Sequence, residues 1–563
     1  MAAFFLADMR NLGFVLGCST MKRLTVWIAL CPLVFLLNCS IALSAALDDH
    51  YLEGFGEKAR QESHIAGVLT TAGEVPFEPC RTPLQHGLRR DWSKLAVGTQ
   101  QILAKYLAKP VLAREAFITS AGGRFTIHYA TTGSDAPPAG DANGNGIPDW
   151  VETVASVFEE VHIREVSDMG YQQAPTVNGA PYDVYLQNLG GSVPQYLGFT
   201  EANSPPSGLV SAPSYIVIDN DFSVDEFGGY NPLEYLKITA AHEYHHAIQY
   251  GYNYYFDAWY AEATSTWIED EVYDDVNQLY RYLPAYMQNL QLQLDCQPVS
   301  VTTGCGYGRW ILNRYMAEIY GRDFIKSIWD SLKRVSRPSD GSDIPMIPVL
   351  GGALGGKLDQ CMLGLGRRLV LRDWTTHLPD IYLIHPPVVQ AGISPLPASS
   401  FPSLPYSLAF FSYPTGQSVD LSARPATVLS DSVSTSGADI LILCNNSVAV
   451  ASPSNSSGGG GGGCFIATAA YGSYLHPKVR LLRDFRDRWL MTNSLGRMLV
   501  KAYYHMSPPA AAVIARHEWL RRLCRAMLEP VILTVEYPEL PAAFIVGLSG
   551  WLLARRRWPV AAR

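Results

Sequence analysis

The sequence predicts an α+β protein. Three runs of strand character lie between Gly123 and Phe222, and helical runs then follow to about Tyr320, so strands and helices are segregated along the chain. From about Ile393 the composition shifts to Ser, Pro and Val around the strand-like run "ADILILC", which predicts a second, small β domain.

The length of 563 residues suits two to four domains, and a 48% hydrophobic, 17% charged composition suits folded cores with membrane-seeking ends. Cys464–Arg563 carries 15 Lys/Arg against 6 Asp/Glu, or +9, which leaves −17 for the rest of a chain whose net charge is −8. An acidic body excludes nucleic acid as the expected partner, and a basic tail beside an apolar segment points to a membrane.

Residues 1–46 read as a secretory signal with its true start at Met21: Lys22 and Arg23 precede an apolar run, and Ser44 and Ala46 form a small-residue cleavage site. The chain is therefore expected to be exported, to the cell envelope, cell surface or extracellular space. "LLNC", Leu36–Cys39, has the outline of a lipoprotein site, but Asn38 is too large before the cysteine. Of ten cysteines, seven remain after the signal; Cys296 and Cys305 flank a short loop and are the best disulfide pair.

Residues 47–115 read as a leader, with a Pro-rich turn ("EVPFEPCRTPLQ") and helical pieces ("WSKLAVGTQQILAKYLA"). Residues 116–385 form the main domain. Its strands are "GRFTIHYATTG", "YDVYLQNLG" and "SYIVIDNDF". A helix follows: Asn231 caps it, Pro232 takes its first position, Glu234 sits in its first turn, and Gly251 is the expected stop. Two more helices are expected over Trp259–Glu271 and Trp310–Tyr320. Residues 386–457 are the small β domain, and Gly458–Gly463 form a flexible linker.

The helix from Pro232 contains "HEYHH". His242 and His246, four apart, share a face from which two imidazoles can bind one metal ion. Glu243 is one step round, placed to take a proton from a metal-bound water without ligating the metal. His245 points elsewhere, to a supporting or surface role. A third ligand is expected from "WYAEATSTWIED": Glu262 is preferred, Glu269 is the runner-up two turns on, and Asp257 and Asp270 are weaker options.

"HEYHHAIQ", followed by "WYAEATSTWIED" and "YGRWILNRY", resembles the gluzincin-type zinc metallopeptidases, in particular a set of secreted bacterial metalloproteases with HExxHxxQ, a Trp-x-x-Glu-Ala helix and a Tyr-Gly-x-Trp segment. The resemblance covers about residues 115–385. It implies a zincin-like domain with a mixed sheet and an active-site helix, His242, His246 and Glu262 as zinc ligands, and Glu243 as the base in hydrolysis of a peptide substrate. Tyr307 and His245 are candidates for the group that stabilises the oxyanion. Substrate alignment is expected from the strand before the zinc helix, where a peptide could add as an extra strand.

"DANGNGIPDWVE" follows the EF-hand loop pattern: Asp141, Asn143, Asn145, Asp149 and Glu152 at positions 1, 3, 5, 9 and 12, Gly146 at the turn, and the Ile147 carbonyl at position 7. The incoming segment is not helical, so a lone structural calcium loop is expected. Cys80, in "EPCRTP", either pairs with Cys361 or another cysteine, or fills the open zinc position and keeps the protein latent.

Residues 464–535, opening "CFIATAAYGSYLHPK", resemble the CFI-box C-terminal region of bacterial surface proteins, a helical sorting tail. Residues 538–557 add a short apolar segment with Arg555–Arg557, consistent with attachment to a membrane. The expected function is a secreted or surface-attached zinc endopeptidase stabilised by calcium. Its rivals are a non-catalytic surface binding protein and a zinc amidase acting on cell-wall peptides.

Overall fold

The computed structural model describes residues 47–58, 77–204, 210–339 and 341–446, with isolated positions between 478 and 528. The signal peptide, Gly linker and apolar 538–557 segment expected from sequence lie outside the described residues, as does nearly all of the CFI-box region. Among the described residues no helix is long and apolar enough to cross a membrane.

Tyr51–Ser93 and Gly98–Val450 form one compact unit. Its elements are α1 (Thr82–Asp91), α2 (Val97–Leu103), β1 (Glu115–Thr119), β2 (Phe125–Ala130), α3 (Asp149–His162), β3 (Tyr182–Gln187), β4 (Gly198–Ala202) and β5 (Ser214–Asp219). Then come α4 (Pro232–Tyr252), α5 (Ala258–Val272), α6 (Trp310–Tyr320), α7 (Asp323–Leu332), α8 (Met346–Ala353), α9 (Leu358–Leu371) and four strands, β6 (Gln390–Ala391), β7 (Leu408–Tyr413), β8 (Val428–Ser434) and β9 (Asp439–Asn445). The protein is α+β.

The first sheet has the order β1-β2-β3-β5-β4; β2, β3 and β5 are parallel, and β1 and β4 run antiparallel at the two edges. Side-chain alternation explains why its inner strands are apolar throughout. On β3 and β5, Val184, Leu186, Ile216 and Ile218 face the helices, while Tyr185, Tyr215 and Val217 fill a second core on the other face. Each such buried Ile or Val contributes roughly 1.5–3 kcal/mol. The strand that immediately precedes α4 is β5, paired on both sides, so it cannot accept an added peptide strand. That edge belongs to β4, a five-residue strand starting at a glycine.

The second sheet has the order β6-β7-β9-β8, and its inner residues Phe410 and Ile442 pack on α9 at Gly366, where a Cβ would come within 2.8 Å of Ile442 Cγ2. The apolar core runs on through α9 to this sheet. Cys296 and Cys305 form the disulfide expected from their spacing. Cys80 and Cys361 are both buried free thiols, so the alternative pairing between them is not made.

Candidate metal centre

Helix α4 begins with a full capping box. Asn231 Oδ1 accepts from the Glu234 amide at 3.0 Å, and Glu234 Oε2 accepts from the Asn231 amide at 2.9 Å. The helix does not stop at Gly251 but runs through Tyr252. Gly251 serves packing instead: a Cβ there would meet Gln172 Nε2 at 2.7 Å and Pro175 Cδ at 2.9 Å. Apolar and polar side chains alike are buried round the middle of α4, which lies between the sheet and helices α3 and α5.

This burial brings the expected side chains together. His242 Nε2 and His246 Nε2 are 3.1 Å apart. Glu262, on α5, places one carboxylate oxygen 3.2 Å from His242 Nε2 and the other 2.9 Å from His246 Nε2. Cys80 Sγ completes the group: one ligand atom from each of Cys80, His242, His246 and Glu262 lies within 4.8 Å of the others, and all four residues are buried. Donors about 2.1 Å from a tetrahedral ion stand about 3.4 Å from one another, so these spacings suit a four-donor metal site.

The hydrogen bonds behind the ring decide what the donors can be. Gln249 Nε2 donates to the Ala261 carbonyl at 3.1 Å, which turns Gln249 Oε1 towards His246 Nδ1 at 2.8 Å. His246 Nδ1 therefore carries the proton. His242 Nδ1 lies 2.7 Å from Glu269 Oε1, a carboxylate that only accepts. With both Nδ1 atoms facing acceptors, each Nε2 turns towards the other imidazole and the Glu262 carboxylate, where it can present a lone pair to a metal ion. The buried Glu262 carboxylate needs positive charge beside it, which a proton on His242 or a metal ion can supply. Burial alone would raise Glu262, but His246 and His242 hold it down, to about 2. Burial alone would lower His242, yet its bonds to Glu262 and Glu269 raise it well above the ordinary range. Burial and then the Glu243 and Glu262 carboxylates push the Cys80 thiol well up. The group can hold a metal ion.

Glu243 stands beside the donors without joining them. Its Oε2 accepts from Thr200 Oγ1 at 2.8 Å and from Thr82 Oγ1 at 3.1 Å. Gly198 on β4 makes room for it, since a Cβ there would meet Glu243 Cγ at 3.0 Å and Thr239 Cγ2 at 2.9 Å. Gly198→Ala is expected to displace Glu243 and to destabilise the fold by about 1–3 kcal/mol. Denaturant unfolding beside peptide hydrolysis checks this, and an unchanged variant in both would refute it. A small cleft lined by Pro79, Leu197, Ile238, Gln278 and Tyr282 lies alongside His242 and Glu243.

The remaining sequence candidates fall elsewhere. Glu269 is not a third ligand but the residue that orients His242. His245 is neither on the surface nor one of the converging donors. It is fully buried on the flank of α4 facing Glu165, where its Nδ1 lies 2.7 Å from Glu165 Oε2 and burial favours the neutral form of both. Tyr307 is close: its hydroxyl donates to the Cys80 carbonyl at 3.2 Å. Asp257 flanks the start of α5, outside the donor group. Asp270 belongs to a separate cluster with Asp274 and His377. Burial alone would lower His377, but Glu271, Asp270 and Asp274 raise it to about 9, so an imidazolium already supplies the positive charge there.

The loop Asp141–Glu152 closes on itself. The Asp141 carboxylate accepts from the amides of Asn145 and Gly146 at 3.1 and 2.9 Å. Asn143 and Asn145 both donate to Glu152, at 2.9 and 2.8 Å, and Asp149 accepts from the Ala142 amide at 3.0 Å. Gly146 has φ +83°, the sharp turn that position 6 requires, and α3 starts at Asp149. Ile147 is partly buried against the core.

No family model matches the chain, and no curated protein matches it. The metal-site reading therefore stands on the geometry of these residues.

Proposed function

We propose that this protein is an exported zinc-dependent endopeptidase of the gluzincin type, with a zincin-like arrangement of edge strand β4 and helix α4. The observation that carries the reading is the convergence of His242, His246 and Glu262, each imidazole oriented from behind, with Glu243 alongside and outside the donor set. Zinc bound there would polarise a peptide carbonyl and acidify water at neutral pH. Glu243, fixed by Thr200, accepts a proton from the attacking water and delivers it to the leaving amine. Tyr307, whose phenol burial keeps protonated, donates to the carbonyl oxygen as negative charge develops on it. The substrate backbone lies along β4. The tail from Cys464 serves sorting and membrane attachment.

Calcium in the Asp141–Glu152 loop stiffens the start of α3. Calcium at 100 times its Kd is expected to stabilise the protein by about 2.7 kcal/mol. Thermal unfolding of wild type beside Asp141→Ala, with and without calcium, measures this. An equal response in both would dismiss the loop.

A second reading has an observation in its favour. Four converging protein donors, Cys80, His242, His246 and Glu262, are the pattern of a structural zinc site. The test is a substrate panel offered to the full-length protein, as wild type and as Cys80→Ala: linear peptides, casein and cell-wall peptides. Internal cleavage of linear peptides that stops on chelation and returns with zinc supports the endopeptidase. Cleavage confined to cell-wall peptides would make it an amidase. Zinc content without hydrolysis by either form would favour the structural site.

A further inference from the structure

Four independent contacts place residues 77–82 of the leader across the elements assigned to catalysis. The first is Cys80 Sγ in the donor group. This sulfur also accepts from the Thr82 amide at 3.3 Å. The second is Thr82 Oγ1, which donates to Glu243 Oε2 at 3.1 Å and accepts from the Thr200 amide at 2.8 Å. The third is the Cys80 carbonyl, which takes the Tyr307 hydroxyl bond. The fourth is the backbone, which runs parallel to the chain leading into β4 and bridges it at two points. Phe77 bridges Gln195 and Cys80 bridges Gly198, through bonds Glu78 N to Gln195 O (3.1 Å), Leu197 N to Pro79 O (3.0 Å) and Arg81 N to Gly198 O (3.0 Å).

Each contact occupies one thing that a peptide substrate needs: the open metal position, the base, the oxyanion donor and the strand edge. An accidental approach of one thiol to a metal site would not also fill the other three. The segment is held at its C-terminal end. Arg81 lies over the Phe199 ring at 3.8 Å, and α1 is fixed to β4 by Arg89, which pairs with Glu201 at 2.5 Å and donates to the Ala202 carbonyl at 2.9 Å.

We propose that the Cys80 segment is a built-in blocking peptide, with Cys80 Sγ as the fourth ligand of the metal and the backbone of residues 77–82 in the substrate groove. This rests on the endopeptidase reading above. Ligation removes the proton from Cys80 Sγ to solvent. Opening exchanges the sulfur for a water molecule, and the freed thiolate takes a proton back. No bond to carbon is made or broken, and no oxidant is needed.

The probe is cobalt(II), loaded into the full-length protein in place of the native metal and read by absorption. Visible d–d bands report the His242, His246 and Glu262 site, and a near-ultraviolet thiolate-to-cobalt charge-transfer band reports Cys80. Wild type is expected to show both, and Cys80→Ala only the first. Cobalt bound by wild type without the thiolate band would overturn the proposal and leave the metal-site reading standing. No stoichiometric cobalt in wild type would overturn both. The wild-type spectrum needs no variant to fold. The block itself is read on casein: a groove open less than about a tenth of the time lowers apparent activity about tenfold or more, so Cys80→Ala should exceed wild type by that factor. Equal rates in the two forms would overturn the block even with the thiolate band present.

Discussion

Replacing Glu243 by Gln is expected to lower peptide hydrolysis by about 10²–10⁴-fold, the range for loss of a general acid–base group, with no loss of bound metal. The substitution is nearly isosteric. Its amide oxygen can still accept from Thr200 Oγ1, now 2.8 Å from Glu243 Oε2, so the buried hydroxyl keeps a partner. What is lost is the capacity to take a proton. Glu243 is not among the converging donors, so metal content should match that of the parent. The comparison is made in the Cys80→Ala background as well as in wild type, so that a closed groove does not mask the difference. A Glu243→Gln protein that keeps both its metal and its activity would remove Glu243 from the mechanism and favour a binding or structural role for the site.

Removing the metal is expected to destabilise the protein by about 4 kcal/mol when the free ion stands at roughly 1,000 times its Kd. For a unit of this size that corresponds to a fall in Tm of about 5 °C. The cause is the donor arrangement. His242 Nε2 and His246 Nε2 face each other at 3.1 Å with the Glu262 carboxylate against both, all buried. Chelation removes the ion's binding free energy and leaves a proton on His242 to balance the Glu262 carboxylate. Scanning calorimetry of wild type with chelator, then with zinc restored, should show a reversible fall. Glu262→Ala should start low and respond to neither addition. A wild-type Tm indifferent to chelation would argue against a buried ion.

Much of this site was legible in the sequence because its signals are local. Asn231, Pro232 and Glu234 announce the start of α4, and His242 and His246 share a face by helical spacing alone. Helices α5 and α6 fall within a residue of the ranges expected for them, and Gly146 adopts the positive φ its loop position demands. Gly251 was misleading because glycine ends helices by its conformational freedom, whereas here it admits Gln172 and Pro175. Strand β4 has only the five residues "GFTEA", with a leading Gly and no clean alternation, so nothing marked it as the sheet edge. The partners of the base were invisible for another reason. Thr82 and Thr200 lie 161 and 43 residues from Glu243, and no periodicity links residues brought together only by the sheet and the leader. His245 shows the limit of motif reading: His242 and His246 turn towards Glu262 on α5, while His245 turns to Glu165. Cys80 was open to two readings in sequence, and the fold places it at the donor group, with Cys361 a free thiol on α9.

The central claim is that His242, His246 and Glu262 hold a zinc ion. The most direct measurement is metal content by mass spectrometry of the full-length protein purified without added metal, wild type beside His246→Ala. The proposed function predicts about one zinc per chain in wild type, with four donors available, and little or none in the variant. Wild type without zinc, or a variant that retains it in full, would contradict the claim.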